Sequence, residues 1–249
     1  MSSEPVGIQV ESVSKNFGDV RALDSLSLKF EAGLMHGLIG PDGAGKTTLM
    51  RCLISLLEPD RGKIQYTLGE KHTSYLELKD AVAYMPQTQS LYADLSIEEH
   101  LNFFKDLYDI SEQDFQSRCE RLLKITRLDK FVTRPAGKLS GGMYKKLGLM
   151  CSLLRAPRVL LLDEPTNGVD PISRREFWDL LYTLSDEKVL IIVATSYMDE
   201  AERCKMVHLV DDGKFLHAGK PRDVLREVKA KNFDEVFIRS AKEKRVSYV

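Results

Sequence analysis

The stretch GPDGAGKTT, residues 40–48, decides how the rest of the sequence is interpreted. It fits the pattern G-x-x-x-x-G-K-[ST], with Gly40, Gly45, Lys46 and Thr47 at the defining positions. An apolar run precedes it, and apolar residues at helical spacing follow it. Small residues let backbone N–H groups turn inward around phosphate oxygens, and a helix N-terminus adds partial positive charge. The stretch predicts a phosphate-binding loop; the alternative is a glycine-rich turn with an exposed lysine.

A second stretch, RVLLLDEP, supplies acidic side chains at the end of a predicted strand. Asp163 at that position can hold Mg²⁺ through water, and the adjacent Glu164 can polarise an attacking water. Lys46 would bridge the β- and γ-phosphates, and the Thr47 hydroxyl would ligate Mg²⁺. Taken alone, this stretch could be an apolar strand that happens to end in acidic residues. Together with the loop at 40–48, it predicts a site for a nucleoside triphosphate and Mg²⁺.

The composition limits the classes of protein to consider. The 249 residues suit one large α/β domain or two small ones. Lys and Arg total 36 against 37 Asp and Glu, which gives no global field for DNA, RNA or anionic lipid. The four cysteines form no CxxC pair, so we expect reduced thiols in a cytosolic setting. The N-terminal stretch MSSEPVGIQV lacks the basic and apolar regions of a signal peptide, and no apolar run approaches the roughly 18–20 residues of a membrane span, so we expect any membrane role to come through a partner.

Apolar periodicity predicts strands that alternate with helices. The predicted strands cover residues 8–17, 26–30, 34–39, 64–68, 81–85, 159–162 and 189–195, followed by a hairpin over 206–220 with an Asp-Gly turn. The predicted helices cover residues 45–57, 96–109, 111–125, 140–155, 173–184 and 198–203. Ser96 and Glu99 form a predicted capping box. This order indicates a mostly parallel sheet covered by helices, with a helical block at about 88–157 inserted.

The stretch GKLSGGMYKK indicates a second anion site. Ser140, Gly141 and Gly142 open a predicted helix, which is again a phosphate-binding geometry. One domain already has its phosphate loop, so a second cradle suggests a nucleotide presented by another subunit. Taken alone, the tripeptide could also be a plain Ser-Gly-Gly helix cap.

In this order, the motifs resemble the nucleotide-binding domain of ABC transporters over nearly the whole chain. GPDGAGKTT resembles the Walker A loop, YMPQ the Q-loop, LSGGM the signature, VLLLDE the Walker B strand and NGVD the D-loop. The stretches LYADLSIEEHL, GKLSGGMYKKLGL, VDPISRREFWDL and SYMDEAERC are similar to exporter-type ATPases, especially the N-terminal halves of tandem two-domain ATPases. The resemblance implies an α/β fold: a P-loop NTPase core with a mostly parallel sheet, an N-terminal antiparallel β subdomain and an inserted helical subdomain. It also implies one ATP-binding domain over 1–240 and a short basic tail over 241–249.

The resemblance assigns roles to individual residues. The implied contacts to ATP are Phe17 on the adenine and, in the loop, Gly40, Pro41, Asp42, Gly43, Ala44, Gly45, Lys46, Thr47 and Thr48. Thr47, Gln87 and Asp163 are the implied Mg²⁺ ligands, and Asp170 is the D-loop aspartate. Ser140, Gly141 and Gly142 would contact the ATP of a partner domain. Glu164 and Ser196 occupy the implied catalytic positions.

Two residues depart from the family pattern. Met143 replaces the usual Gln of the signature, and Ser196 replaces a His that would contact the γ-phosphate and link Glu164 to the partner's D-loop. The five histidines lie elsewhere, at positions 36, 72, 100, 208 and 217. Ser donates one hydrogen bond but is short and never cationic. We therefore expect retained ATP binding and slow hydrolysis; the alternative is that Ser196 with an ordered water substitutes adequately. Tyr197, next on the strand end, should point the other way.

The resemblance implies an ATP-hydrolysing subunit or half-subunit of an exporter. Its partners would be a second ABC ATP-binding domain and a polytopic membrane permease, reached through the Gln87 loop and the helical insert at the cytoplasmic face of the membrane. No DNA binding is expected. The alternative is a soluble ABC-type ATPase acting on ribosomes or other machinery, since one member of the subgroup is described as ribosome-associated; a P-loop kinase would have no use for LSGG. We expect Asp199, Glu200 and Glu202 to form a solvated helix face.

Overall fold

The computed structural model describes residues 4–88 and 91–246, with side chains described to residue 239. Its strands are β1 (Val6–Phe17), β2 (Val20–Phe30), β3 (Met35–Ile39), β4 (Arg61–Leu68), β5 (Lys71–Thr73), β6 (Val82–Met85), β7 (Val159–Asp163), β8 (Leu190–Thr195), β9 (Met206–Asp211) and β10 (Lys214–Gly219). Its α-helices are α1 (Lys46–Leu53), α2 (Tyr75–Leu78), α3 (Ile97–Leu107), α4 (Glu112–Thr126), α5 (Gly141–Leu153), α6 (Pro171–Asp186), α7 (Pro221–Glu227) and α8 (Phe233–Val246).

Two sheets organise these elements. The first is antiparallel, with strand order β2-β1-β4-β5. The second has the order β10-β9-β3-β8-β7-β6 and is parallel except for β10, which pairs antiparallel with β9. The predicted α/β fold, with an antiparallel N-terminal sheet and a mostly parallel core sheet, is confirmed.

Strands β7 and β8 are apolar up to their last residue because both faces of the sheet are covered. Successive side chains of a strand point to opposite faces. Accordingly, Leu160 and Leu162 pack in a core that includes residues of α5 and α6, whereas Val159 and Leu161 pack with residues of α1 and the N-terminal sheet. All four side chains are fully buried. This packing fixes the C-terminal ends of the strands, from which the candidate site is built.

Several element boundaries differ from the prediction. Helix α1 ends at Leu53, short of residue 57, because the chain turns at Ser55, whose φ is +54°. Met198–Arg203 is a 3₁₀ helix, and α7 and α8 were not predicted. The proposed tail at 241–249 begins inside α8, and residues 247–249 lie outside the described part of the chain. Helices α3 to α5 fall within 88–157, of which residues 89 and 90 are not described; their status as a separate subdomain stays a prediction.

Candidate functional site

Three neighbouring parallel strands bring the predicted phosphate and catalytic residues to one edge of the core sheet. Strand β3 leads into the phosphate loop (residues 40–48), β7 ends at Asp163 and β8 ends at Thr195. Strand β8 lies between the other two. Because the carboxyl ends of parallel strands share one edge, the next residues, Glu164 and Ser196, leave the sheet side by side.

At two positions of the loop, the backbone of another strand lies so close that only glycine fits. Gly45 has a φ of +94°, and a Cβ there would lie 2.4 Å from the carbonyl oxygen of Ala22. A Cβ on Gly40 would lie 2.2 Å from the carbonyl oxygen of Val210. The loop is therefore held between β2 and β9. Of its other residues, Asp42 and Gly43 are exposed, Pro41, Thr47 and Thr48 are half-buried, and Ala44 is buried.

The Lys46 ammonium lies at the centre of the site. Its side chain is buried and donates hydrogen bonds to the carbonyl oxygens of Gly40, at 2.8 Å, and Pro41, at 3.0 Å. Lys46 Nζ also forms an ion pair with Glu164 Oε1 at 3.2 Å. On the other side, Ser196 Oγ donates to Glu164 Oε2 at 3.3 Å. The predicted phosphate lysine and the predicted catalytic pair therefore meet at one buried carboxylate.

Asp163 is buried, and both of its carboxylate oxygens accept hydrogen bonds. Thr47 Oγ1 donates to Oδ1, and the Tyr84 hydroxyl donates to Oδ2, each at 3.1 Å. Burial raises the pKa of Asp163, and these two hydrogen bonds oppose the rise. Burial, followed by the charge of Asp163, raises the pKa of Tyr84 to about 12. Hydroxyl and carboxylate oxygens are ligands that Mg²⁺ prefers, so Thr47 and Asp163 fit the predicted metal site.

Gln87, the third predicted metal ligand, is exposed, and its hydrogen bond to a protein side chain is made by its backbone carbonyl. Lys145 Nζ donates to the Gln87 carbonyl oxygen at 3.0 Å, and the Leu91 N–H donates to the Tyr144 hydroxyl at 3.0 Å. Burial lowers the pKa of Lys145. Within the described residues, no hydrogen bond joins the Gln87 side chain to Thr47 or Asp163, and its metal role stays a prediction. Neither Lys145 nor Tyr84 was predicted from the sequence as part of the site.

The predicted partner-facing residues cap two helices that pack together. Ser140 caps α5 and accepts a backbone hydrogen bond from its first turn. A Cβ on Gly142 would lie 2.4 Å from Ser173 Cβ in α6. A Cβ on Gly141 would lie no closer than 3.6 Å to another segment. Asp170 caps α6, and hydrogen bonding from Ser173 lowers its pKa. No hydrogen bond among the described residues joins this cluster to the phosphate loop.

Two aromatic residues border the site differently. Phe17 ends β1 and is 48% exposed. Tyr197 lies against Arg174, whose Cζ is 4.2 Å from the ring centroid. The expectation that Tyr197 points away from Glu164, the predicted catalytic carboxylate, is consistent with this contact.

The expectation of a solvated acidic face is wrong for Glu200. Asp199 and Glu202 are exposed, but Glu200 is fully buried. Its Oε1 accepts hydrogen bonds from three side chains: Thr166 Oγ1 at 2.7 Å, Arg174 Nε at 2.7 Å and Trp178 Nε1 at 2.9 Å. These donors come from distant parts of the chain, and they make burial of the carboxylate tolerable.

Comparison with known proteins gives a consistent result. A family profile described as ABC transporter matches residues 23–167, a range that ends before Asp170 and Ser196. The probable multidrug ABC transporter ATP-binding protein YbhF of Escherichia coli (strain K12) is 44% identical over 228 residues, which are 91% of this chain and 39% of that protein. The Nod factor export ATP-binding protein I of Ralstonia nicotianae is 34% identical over 230 residues, which are 90% of this chain and 70% of that protein.

Solved structures share the fold. One described as the ATP-binding subunit of an ABC transporter superposes with a TM-score of 0.79 at 27% identity, covering 93% of this chain and 98% of that one. A nucleotide-free ATP-binding cassette from an ABC transporter superposes with a TM-score of 0.78 at 20% identity, covering 94% and 98%, and supports the fold alone.

Proposed function

The chain belongs to the ABC transporter family of ATP-binding proteins, and from that premise we propose that it binds Mg·ATP, hydrolyses it slowly and drives an exporter. The exporter assignment is supported by two relatives, one named for multidrug transport and one for Nod factor export. The chain spans 39% of the length of the first of these, so transport by a complete assembly is part of the proposal.

The observation that carries the enzymatic part is the convergence of Lys46 and Ser196 on Glu164. Glu164 Oε1 is buried and pairs with the Lys46 ammonium at 3.2 Å; once a phosphate engages that ammonium, Oε1 can take a proton from an attacking water. Lys46 binds the β- and γ-phosphate oxygens. Thr47 and Asp163 would hold Mg²⁺, which would supply positive charge to offset that of the phosphates.

Ser196 is the reason we propose slow hydrolysis. A hydroxyl is short and carries no charge, so it stabilises charge at the γ-phosphate less than an imidazole would. The phosphate loop does not depend on Ser196, and ATP binding is retained. The site then serves chiefly to hold two domains together, while a partner domain with a histidine at this position performs most turnover.

A second ATP-binding domain completes the proposed site. Ser140 and Gly142 lie at the N-terminus of α5, where backbone N–H groups favour an anion, yet no hydrogen bond among the described residues joins them to this chain's own loop. In the proposed assembly they contact the γ-phosphate bound by the partner domain, and Asp170 lies at the interface. Phe17 stacks on the adenine of its own nucleotide.

The proposed membrane partner is a polytopic permease. No helix among the described residues is long and apolar enough to cross a bilayer. We propose that the Gln87 segment, held by Lys145, and the helical region at about 88–157 transmit domain closure to the permease. The chain would then act at the cytoplasmic face of the membrane, as a peripheral component.

The nucleotide assignment is tested by combining ATP binding with size-exclusion chromatography. Glu164→Gln should bind Mg·ATP and form a dimer, because proton abstraction is lost while the phosphate contacts remain. Lys46→Ala should lose ATP affinity and stay monomeric. Lys63→Ala is the matched control, since Lys63 is exposed and its one ion pair within the described part of the chain is with Glu11. Equal ATP affinity in wild type and Lys46→Ala would refute the assignment.

The exporter assignment is tested by affinity purification from detergent-solubilised membranes. A polytopic protein should co-purify in stoichiometric amount. Stoichiometric recovery of ribosomal subunits without such a protein would favour the ribosomal alternative.

A further inference from the structure

A buried carboxylate, Glu200, joins three segments around the proposed nucleotide site. It belongs to the 3₁₀ helix Met198–Arg203, which follows Ser196. Its Oε1 takes hydrogen bonds from Thr166, two residues after Glu164, and from α6, which Asp170 caps. The segments that carry the catalytic carboxylate, the hydroxyl beside it and the D-loop aspartate are therefore tied to one oxygen atom.

Arg174, in the first turn of α6, strengthens this connection. Its Nε donates to Glu200 Oε1 at 2.7 Å, and its Nη2 donates to Asp199 at 2.8 Å. Its guanidinium also lies over the ring of Tyr197. One side chain, only 20% exposed, thus holds three of the four residues that follow Ser196.

Packing alone does not explain why a charged residue occupies position 200. A buried carboxylate is costly unless it is paired and fully hydrogen-bonded, and a neutral residue of similar volume usually stabilises a core better. Here Oε1 accepts three hydrogen bonds, while Oε2 is buried and accepts none from the residues that the structure describes. The arrangement concentrates its interactions on the one oxygen that joins the three segments.

We propose that Glu200 is a positioning residue that, with Arg174, fixes Ser196 relative to Glu164 and the D-loop. This inference rests on the proposed hydrolytic site. Glu200 touches no reacting atom; it acts by holding the segment whose Ser196 hydroxyl contacts Glu164 Oε2. Because a misplacement of about 1 Å can cost on the order of 10²-fold in rate, a loose segment should impair turnover.

Hydrogen–deuterium exchange tests the positioning without requiring turnover. Glu200→Gln keeps an acceptor oxygen but removes the charge, and Arg174→Lys keeps the charge but loses the planar fork. Both variants should exchange faster in residues 194–204, with α1 unchanged. Glu202→Gln and Arg175→Lys are matched controls at neighbouring exposed positions and should match wild type. Arg174→Lys serves as the second variant if Glu200→Gln fails to fold. Exchange at the wild-type rate in a folded variant would overturn the proposal.

Kinetics in a Ser196→His background test the link to chemistry. Adding Glu200→Gln should lower kcat by about 10- to 100-fold and leave KM for ATP unchanged, because no hydrogen bond of Glu200 reaches the phosphate loop. Adding Glu202→Gln should change neither. An unchanged kcat, or a raised KM alone, would contradict the inference. If Ser196→His itself gains no turnover, the slow-hydrolysis proposal fails, and the exchange experiment still decides the role of Glu200.

Discussion

The Ser196 hydroxyl donates a hydrogen bond to the Glu164 carboxylate, with 3.3 Å between Oγ and Oε2. A serine hydroxyl has one proton to donate, so in this arrangement none remains for a phosphate oxygen. In the proposed site, Ser196 would therefore orient the Glu164 carboxylate. It does not supply the phosphate contact that the family's histidine would make.

Replacing Ser196 with His should speed hydrolysis. A single donor to transition-state charge is worth about 10²–10³ in rate, so we expect Ser196→His to raise kcat by up to that factor. Steady-state ATPase of the chain, alone and in its natural assembly, measures this. Ser196→Ala is the control and should bind ATP as wild type does. A wild type that already hydrolyses as fast as Ser196→His would contradict the slow-hydrolysis proposal.

Two glycines of the phosphate loop should respond differently to an added methyl group. Gly43 and Gly45 both have positive φ, so alanine costs about 1–2 kcal/mol of backbone strain at either position. Only at Gly45 would the new Cβ also collide, with Ala22 O at 2.4 Å; at Gly43 nothing lies within 4 Å. Gly45→Ala should therefore lose clearly more unfolding free energy than Gly43→Ala in denaturant titrations. Equal losses would show that the loop can shift away from β2.

Tyr84 should influence the metal site through Asp163. Tyr84→Phe removes one of the hydrogen bonds that oppose the raised pKa of Asp163, and the carboxylate then binds protons more tightly. Loss of such an outer-shell partner typically weakens metal binding about 10- to 100-fold. We expect the Mg²⁺ concentration for half-maximal ATP binding to rise accordingly. Tyr75→Phe, a half-buried tyrosine of α2, should leave it unchanged; the same rise in both variants would remove the specific role of Tyr84.

A buried histidine pair should make stability depend on pH. His36 Nδ1 lies 3.0 Å from His208 Nε2, and burial lowers the pKa of both rings, that of His208 to about 3. Below about pH 6.5 the two histidines bind protons in the unfolded chain but not in the folded chain. The free energy of unfolding therefore decreases as the pH is lowered. The slope approaches about 1.4 kcal/mol per pH unit for each histidine.

Substitution separates this pair from other titrating groups. His208→Leu should reduce the slope between pH 6 and pH 4 by about one histidine's share, as measured by urea titration at several pH values. His72→Leu, at an exposed histidine, should leave the slope as in wild type. Identical slopes in all three proteins would exclude the buried pair as the source.

Local chemistry explains which features could be predicted from the sequence. The phosphate loop depends on neighbouring glycines, Lys46 and Thr47, so one short stretch contains its signal. The strand ends at Asp163 and Thr195 follow from unbroken apolar runs, which a sheet covered on both faces requires. The capping box of Ser96 and Glu99 is likewise contained within four residues and is confirmed.

Features that depend on distant partners were missed. Glu200 sits among other acidic residues, which suggested a solvated face, but its partners lie 22 to 34 positions away. Tyr84 reaches Asp163, 79 positions away in the sequence, because β6 pairs with β7. Periodicity within a segment carries no information on which donors a fold will bring to it.

The hydrogen-bonding capacity of the Lys46 ammonium is already filled before ATP binds. Its ammonium has three N–H donors, and three protein oxygens surround it: two backbone carbonyls and Glu164 Oε1. A phosphate oxygen that engages Lys46 must therefore displace one of them. The carbonyls are fixed in the loop, whereas the Glu164 side chain can rotate. On binding, a phosphate of ATP would thus replace the Glu164 carboxylate at the Lys46 ammonium. The substrate would in this way release the base that takes a proton from the attacking water.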